Sequence, residues 1–155
     1  MLTPDFSAYA AKVQITSDRL RAGSEMQRMI ENLMSRSVIE CVRAGASLIG
    51  HAKCIAESDS GHYLTCSVTD NDGKARCKGD LGTSFSRIEL VINILLYGLK
   101  RTQVEEIFNR VLQEEAKSQG FSVSVEDMEV HDHEEDHEHH EHEHEDLEDN
   151  HADSH

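Results

Sequence analysis

The chain lacks most of the signals that assign a protein to a class. No stretch of its 155 residues approaches the about 20 consecutive apolar residues that a membrane-spanning helix needs. The start, MLTPDFSAYAAKVQ, has no basic run leading into a long apolar core, so it does not read as a secretory signal and a cytoplasmic location is expected. There is no Walker motif, no H-E-x-x-H and no nucleophile elbow, and an enzyme is therefore not expected. Gly79-Asp-Leu-Gly-Thr-Ser84 lacks the spacing and the lysine of a phosphate cradle and reads as a connecting loop. Asp70-Asn-Asp-Gly73 cannot head a calcium loop, because Val68 and Gly79 would stand at two ligand positions.

Cysteine is present but not in a metal-knuckle pattern. Cys41, Cys54, Cys66 and Cys77 lie 13, 12 and 11 residues apart, with no C-x-x-C among them. In a cytoplasmic chain disulfides are not expected, and these cysteines read as small buried apolar residues.

Positive charge is also scarce. The formal net charge is −15, and basic residues cluster only weakly, at Arg19 and Arg21 and at Lys74, Arg76 and Lys78. Nucleic acid, whose phosphates call for dense Lys and Arg, is not an expected partner. The imbalance is local. Residues 1–130 carry 18 acidic and 15 basic side chains, whereas residues 131–155 hold 12 acidic side chains and no Lys or Arg.

What the chain does have begins with that tail, HDHEEDHEHHEHEHEDLEDNHADSH. It contains nine of the eleven histidines: His131, His133, His137, His139, His140, His142, His144, His151 and His155. It has almost nothing apolar to bury, so it is expected to be a disordered, self-repelling segment. Neutral imidazole is the commonest side-chain ligand for borderline divalent ions, and interleaved carboxylates can complete a coordination shell. The expected ions are Ni²⁺ or Zn²⁺, with Co²⁺ and Cu²⁺ behind them. Such a flexible site suits storage or transfer, since catalysis requires fixed geometry. Two blander readings compete: an acidic tail that only tunes charge and solubility, and a pH-responsive segment whose histidines charge near pH 6.

The tail resembles the histidine-rich ends of metal-handling accessory proteins: the urease nickel chaperone, the histidine-rich hydrogenase-maturation GTPases and the nickel-binding prolyl isomerase. That resemblance implies nickel storage or delivery, with zinc bound as well, and it extends only to the tail histidines as ligands. It covers residues 131–155; the body resembles none of these families.

The body reads as an α+β two-layer sandwich, a mixed sheet of roughly four strands with helices on one face. Residues 1–23 are expected to be helical or irregular, with Phe6, Tyr9, Val13 and Leu20 on one side. A domain follows over 24–130, and the tail over 131–155. Ser24 to Gln27 fits a capping box ahead of a stripe of Met26, Met29, Ile30, Leu33 and Met34, and Gly45 fits a terminator. Strands are expected over 47–56 and 62–69, hinged at Ser58 to Gly61. Residues 74–78 read as an edge strand or a loop. FSRIELVINILLY, 85–97, reads as a central strand buried on both faces at its end. Thr102 to Glu105 suggests a second capping box, before a stripe from Val104 to Ala116 ended by Gly120. Residues 121–125 alternate as a last strand. Cys54, Cys66, His51 and His62 are candidates for a second site on the body, but strict alternation puts His51 on the face opposite Cys54.

The expected function is therefore a metal-binding accessory protein. Its partners would be divalent ions and a client metalloprotein or transporter, and the body would serve for docking or as a homodimer. The competing function is a regulatory or protein-interaction subunit.

Overall fold

A computed structural model describes residues 6–128. Its elements, in chain order, are β1 (Phe6–Arg21), α1 (Gly23–Ala44), β2 (Leu48–Ser58), β3 (Tyr63–Val68), β4 (Arg76–Gly79), β5 (Phe85–Tyr97), α2 (Arg101–Gln119) and β6 (Ser122–Asp127). The sheet has six strands in the order β4-β3-β2-β5-β1-β6, and every neighbouring pair is antiparallel. The α+β class expected from the sequence holds; the mixed four-stranded sheet does not.

The N-terminal segment is a strand and not a helix. Tyr9, Ala11, Val13 and Ile15 alternate, and all four are fully buried. The alanines, good helix formers, mimic a helical stripe; the two-residue period through the β-branched Val13 and Ile15 prevails once a sheet face needs filling. β1 lies between β5 and β6 and supplies the pairing partner for both.

Two parallel pairs organise the sheet. β1 and β2 run in the same direction with β5 between them, and β5 and β6 run in the same direction with β1 between them. Each pair is joined by one helix. This is the split β-α-β (ferredoxin-like) arrangement, extended at its β2 edge by the β3-β4 hairpin. The topology does not itself assign a function.

Both helices cover the same sheet face. α1 presents Met26, Met29, Ile30, Leu33, Met34, Val38 and Cys41, and α2 presents Val104, Ile107, Phe108, Val111, Leu112 and Ala116. All meet the inward residues of the strands in one core. Full burial of each such side chain stabilises the fold by roughly 1.5–3 kcal/mol before entropy is counted. Tyr9 of β1 packs against Phe108 of α2 with ring centroids 5.7 Å apart. Arg36 of α1 grips Glu114 and Glu115 of α2, and so ties the helices to each other.

Helix ends differ from expectation at their starts. α1 begins at Gly23 after Ala22, with no side-chain cap, so Ser24 lies inside the helix and its capping box does not form. α2 begins at Arg101; Gln103 Oε1 accepts the Lys100 N–H at 2.9 Å, and the expected box at Thr102 and Glu105 is displaced by that contact. The glycine terminators hold: Gly45 and Gly120 both take positive φ. β5 is central, as expected, but only its inward face is buried; Val91, Leu95 and Tyr97 on the other face are half-buried.

β2 carries one extra residue. Ile49 pairs with Leu96 and His51 with Leu95, leaving Gly50 as a bulge. A side chain at Gly50 would stand 3.1 Å from the Leu95 carbonyl oxygen, which suits glycine to the position.

Candidate metal sites and the cysteine row

The nine tail histidines lie outside the described residues. Among the described residues, no group of three or more His, Cys, Asp or Glu side chains could hold a metal ion.

The four body candidates for a second site are separated by the fold. His51 follows the Gly50 bulge and sits on the uncovered sheet face, paired with Leu95. Cys54 and Cys66 are cross-strand partners on the helix-covered face, at 0% and 1% exposure. His62 stands at the β2–β3 turn, where its Nδ1 lies 2.9 Å from Ser60 Oγ. The pairing of Cys54 with Cys66 and the separation of His51 from Cys54 follow the alternation read from the sequence. The bulge precedes His51 and does not bring it round to Cys54.

The reduced state expected for the cysteines is corrected by the structure. Cys66 is bonded to Cys77 across β3 and β4, with an S–S distance of 2.00 Å. Cys54, Cys66 and Cys77 thus stand side by side on three consecutive strands. Cys54 and Cys41 keep free thiols. Burial pushes the Cys54 thiol up to about 12, against a hydrogen bond from the Cys66 backbone that lowers it. Burial likewise pushes Cys41 up to about 11, helped by the Glu40 carboxylate. Both are protonated at neutral pH, and neither is an activated nucleophile or a ready ligand.

Opening the disulfide would not create a three-thiolate site. The outer two of three adjacent strands are about 10 Å apart. Two thiolates on one zinc ion can be no more than about 4.6 Å apart, twice the Zn–S distance. Even if both outer side chains lean inward, roughly 6 Å remains between their sulfurs.

Cys77 was legible as the partner. A hairpin centred on Asp70 to Gly73 sets residue 66 opposite 77, by the same reasoning that a turn at about Ser60 sets 54 opposite 66.

The loop 79–84 packs against the start of α1. Its carboxylate at Asp80 accepts the Gly82 N–H at 2.8 Å. Asp80, His62, Thr83 and Ser24 line the shallow depression there. A carboxylate at that place opposes an anion, in agreement with the connecting-loop reading. A second depression, lined by Gln14, Glu57, Asp59, Arg87 and Glu89, lies on the uncovered sheet face. The Ser86 hydroxyl and backbone amide donate to Asp59 and hold its carboxyl below the usual range. Glu89 is lowered in the same way, by Gln14 first and then by Lys12.

No protein-family model, curated protein or solved structure matches the chain. No helix among the described residues is long and apolar enough to cross a membrane.

Proposed function

We propose that the protein is a metal-binding accessory protein that holds divalent ions, nickel or zinc first, through residues 131–155. One observation carries the reading: nine histidines alternate with twelve carboxylates within 25 residues, which hold no Lys or Arg. Acidity alone would need no imidazole. The folded body, whose described residues contain no metal group of their own, serves as the platform from which ions pass to a client metalloprotein or transporter. The function is binding and transfer, not catalysis. It does not depend on the cytoplasmic setting expected from the sequence, because a Cys66–Cys77 bond persists in an oxidising compartment and opens to two thiols in a reducing one.

The test is calorimetric titration of Ni²⁺ and Zn²⁺ into the full chain and into a full-length variant with the nine tail histidines replaced by glutamine. The variant keeps every carboxylate. Several ions bound by the native chain and none by the variant, at micromolar metal, support metal handling. Equal binding by both, or by neither, leaves the tail as a charge-tuning segment. Binding should weaken as pH falls below about 6.5, where protons compete for the imidazoles.

A further inference from the structure

One face of the six-stranded sheet has no helix on it, yet it carries apolar side chains. Phe6, Leu48, Ile55 and Tyr63 lie on it at 44–56% exposure. Met128, 43% exposed, donates its N–H to Ala10 at the β6 edge. Half-buried Val91, Leu95 and Tyr97 share the face on β5, with exposed Asn93 between Val91 and Leu95, and the Phe6 ring packs on Tyr97 at 5.2 Å. Clustered apolar exposure of this extent marks an interaction surface.

We propose that this face binds a second copy of the chain, the two sheets packing face to face about a two-fold axis that runs along the strands between β2 and β5. Three features point to a copy of the same chain.

The first is size. Six strands about 4.8 Å apart, with outward residues every ~6.8 Å along them, give a face on the order of 800 Å². A stable specific interface needs about 800 Å² from each partner.

The second is self-complementarity. The axis falls at the middle of the strand order, so rotation sets β4 over the partner's β6 and β2 over the partner's β5, each row of residues above the same row. Ile55 and Val91 are cross-strand neighbours in one such row. Rotation places Ile55 on the partner's Val91. In the row at the sheet's end, Leu48 meets the partner's Tyr97, since both belong to the row of Phe6.

The third is charge. Lys78 pairs in register with Thr65 on the β4 side, and Glu126 with Lys12 on the β6 side, both in the row of Ile55. Rotation brings Lys78 over the partner's Glu126. Two juxtapositions are unfavourable: Lys53 over the partner's Asn93, which gives the ammonium no anionic partner, and Glu57 over the partner's Glu89. Each of these carboxylates already has a partner: Tyr63 Oη donates to Glu57 at 3.0 Å, and Gln14 Nε2 and Lys12 Nζ hold Glu89. Sheets packed this way sit about 30° from parallel, which offsets residues of the outermost strands, Lys78 and Glu126 among them, by roughly 6 Å along the strands, a gap that the two long side chains can span, while the centre stays in contact.

The acidic segment 131–155 is a poorer occupant. It offers only Leu147 and Ala152 as apolar side chains, and the basic residues of the face, Lys12, Lys53, Arg76, Lys78 and Arg87, are spread over four strands among Glu57, Glu89 and Glu126 and form no continuous basic stripe for it.

The experiment is sedimentation equilibrium of the full chain with a chelator present, so that metal cannot bridge two tails. The expected result is a particle of twice the 17.4 kDa chain mass. Ile55→Asp should weaken association by at least roughly a hundredfold, because it replaces an apolar contact with the partner's Val91 by a carboxylate that has no cationic partner there. Lys78→Glu should weaken it by about tenfold, and Lys78→Glu with Glu126→Lys should restore it. Circular dichroism reports whether each variant is folded. If Ile55→Asp unfolds the chain, the charge-swap pair decides alone. A monomer at about 100 µM, a dimer that the chelator dissolves, a folded Ile55→Asp variant that still dimerises, or a double swap that fails to rescue would each overturn the proposal. None of these outcomes bears on metal binding by the tail, which the titration above tests separately.

Discussion

Cys66 faces Cys77 directly across the β3-β4 hairpin, and the two are joined by a disulfide with Cα atoms 4.1 Å apart. The bond closes a short loop around the turn at Gly73, on the outermost hairpin of the sheet. The outer strand of that hairpin, β4, pairs only with β3. Closing a loop of this length lowers the entropy of the unfolded chain by an amount equivalent to about 3 kcal/mol. Cys77→Ser should therefore lower stability by about that much in urea unfolding without reductant. Under dithiothreitol the native chain should fall to the level of the variant. Alkylation of the denatured, unreduced chain should label Cys41 and Cys54 only; labelling of all four would show that the bond is absent.

Alkali should unfold the body in a defined window. The Cys54 thiol is raised from 9.0 to about 12, Cys41 from 9.0 to about 11, and Tyr9 from 10.0 to about 12, each chiefly by burial. A group whose pKa is higher folded than unfolded gives stability that is complete below its unfolded value. That stability is lost as pH rises towards the folded value. Denaturant midpoints should hold up to about pH 9 and fall between 9 and 12. Cys54→Ala should flatten part of that fall. A slope that Cys54→Ala leaves unchanged would mean that the thiol ionises without cost in the native state.

Arg36 is the bridge between the helices, and its two acidic partners are not equivalent. The Glu115 side chain is 11% exposed and that of Glu114 51%. Removing Arg36 strands Glu115 in a nearly dry site but leaves Glu114 in water. Arg36→Met should cost about 1–2 kcal/mol, reduced from the fully buried case because Arg36 is itself partly solvated. Glu114→Gln should cost well under 1 kcal/mol. Arg36→Met combined with Glu115→Met should recover most of the loss, measured as a double-mutant cycle in urea. Additive losses would show that the pair is not coupled.

Gly23 opens α1, where helix propensity favours alanine by up to about 1 kcal/mol. Packing opposes it. A Cβ at Gly23 would lie 2.0 Å from the Gly82 carbonyl oxygen, and backbone cannot move aside cheaply. Gly23→Ala should thus destabilise by more than about 1 kcal/mol, against its propensity. Gly61→Ala is the control: nothing lies within 4 Å, and only the positive φ of 82° is strained there. Chemical denaturation of the two variants should rank Gly23→Ala the more damaging.

Helices and hairpins were legible where one period dominated. Met26 to Cys41 and Val104 to Ala116 kept a helical stripe, and both became core-facing. Leu64, Cys66 and Val68 alternated, and all three were buried. The segment 6–21 carried two periods at once, and only the presence of β5 and β6 on either side selects the strand. Long-range pairing of residue 6 with 97 cannot be seen locally, so the sixth strand, the absence of parallel neighbours and the true helix starts escaped. The Cys66–Cys77 bond was accessible from turn geometry, but the expectation of a reducing compartment hid it. For the tail histidines, composition is the whole signal, since they lie beyond the described residues.

The Gly50 bulge bears on how this sequence can lose residues. Side chains in β2 change face at every step, so deleting almost any residue within it would swap core for solvent along the remainder of the strand. Gly50 is the exception. It pairs with nothing, and Ile49 and His51 already stand opposite the consecutive residues Leu96 and Leu95. Excising Gly50 would leave a regular strand with Ala52, Cys54 and Ala56 still facing the helices. The fold therefore has a built-in frame-neutral position, one at which chain length can vary by one without rewriting the core.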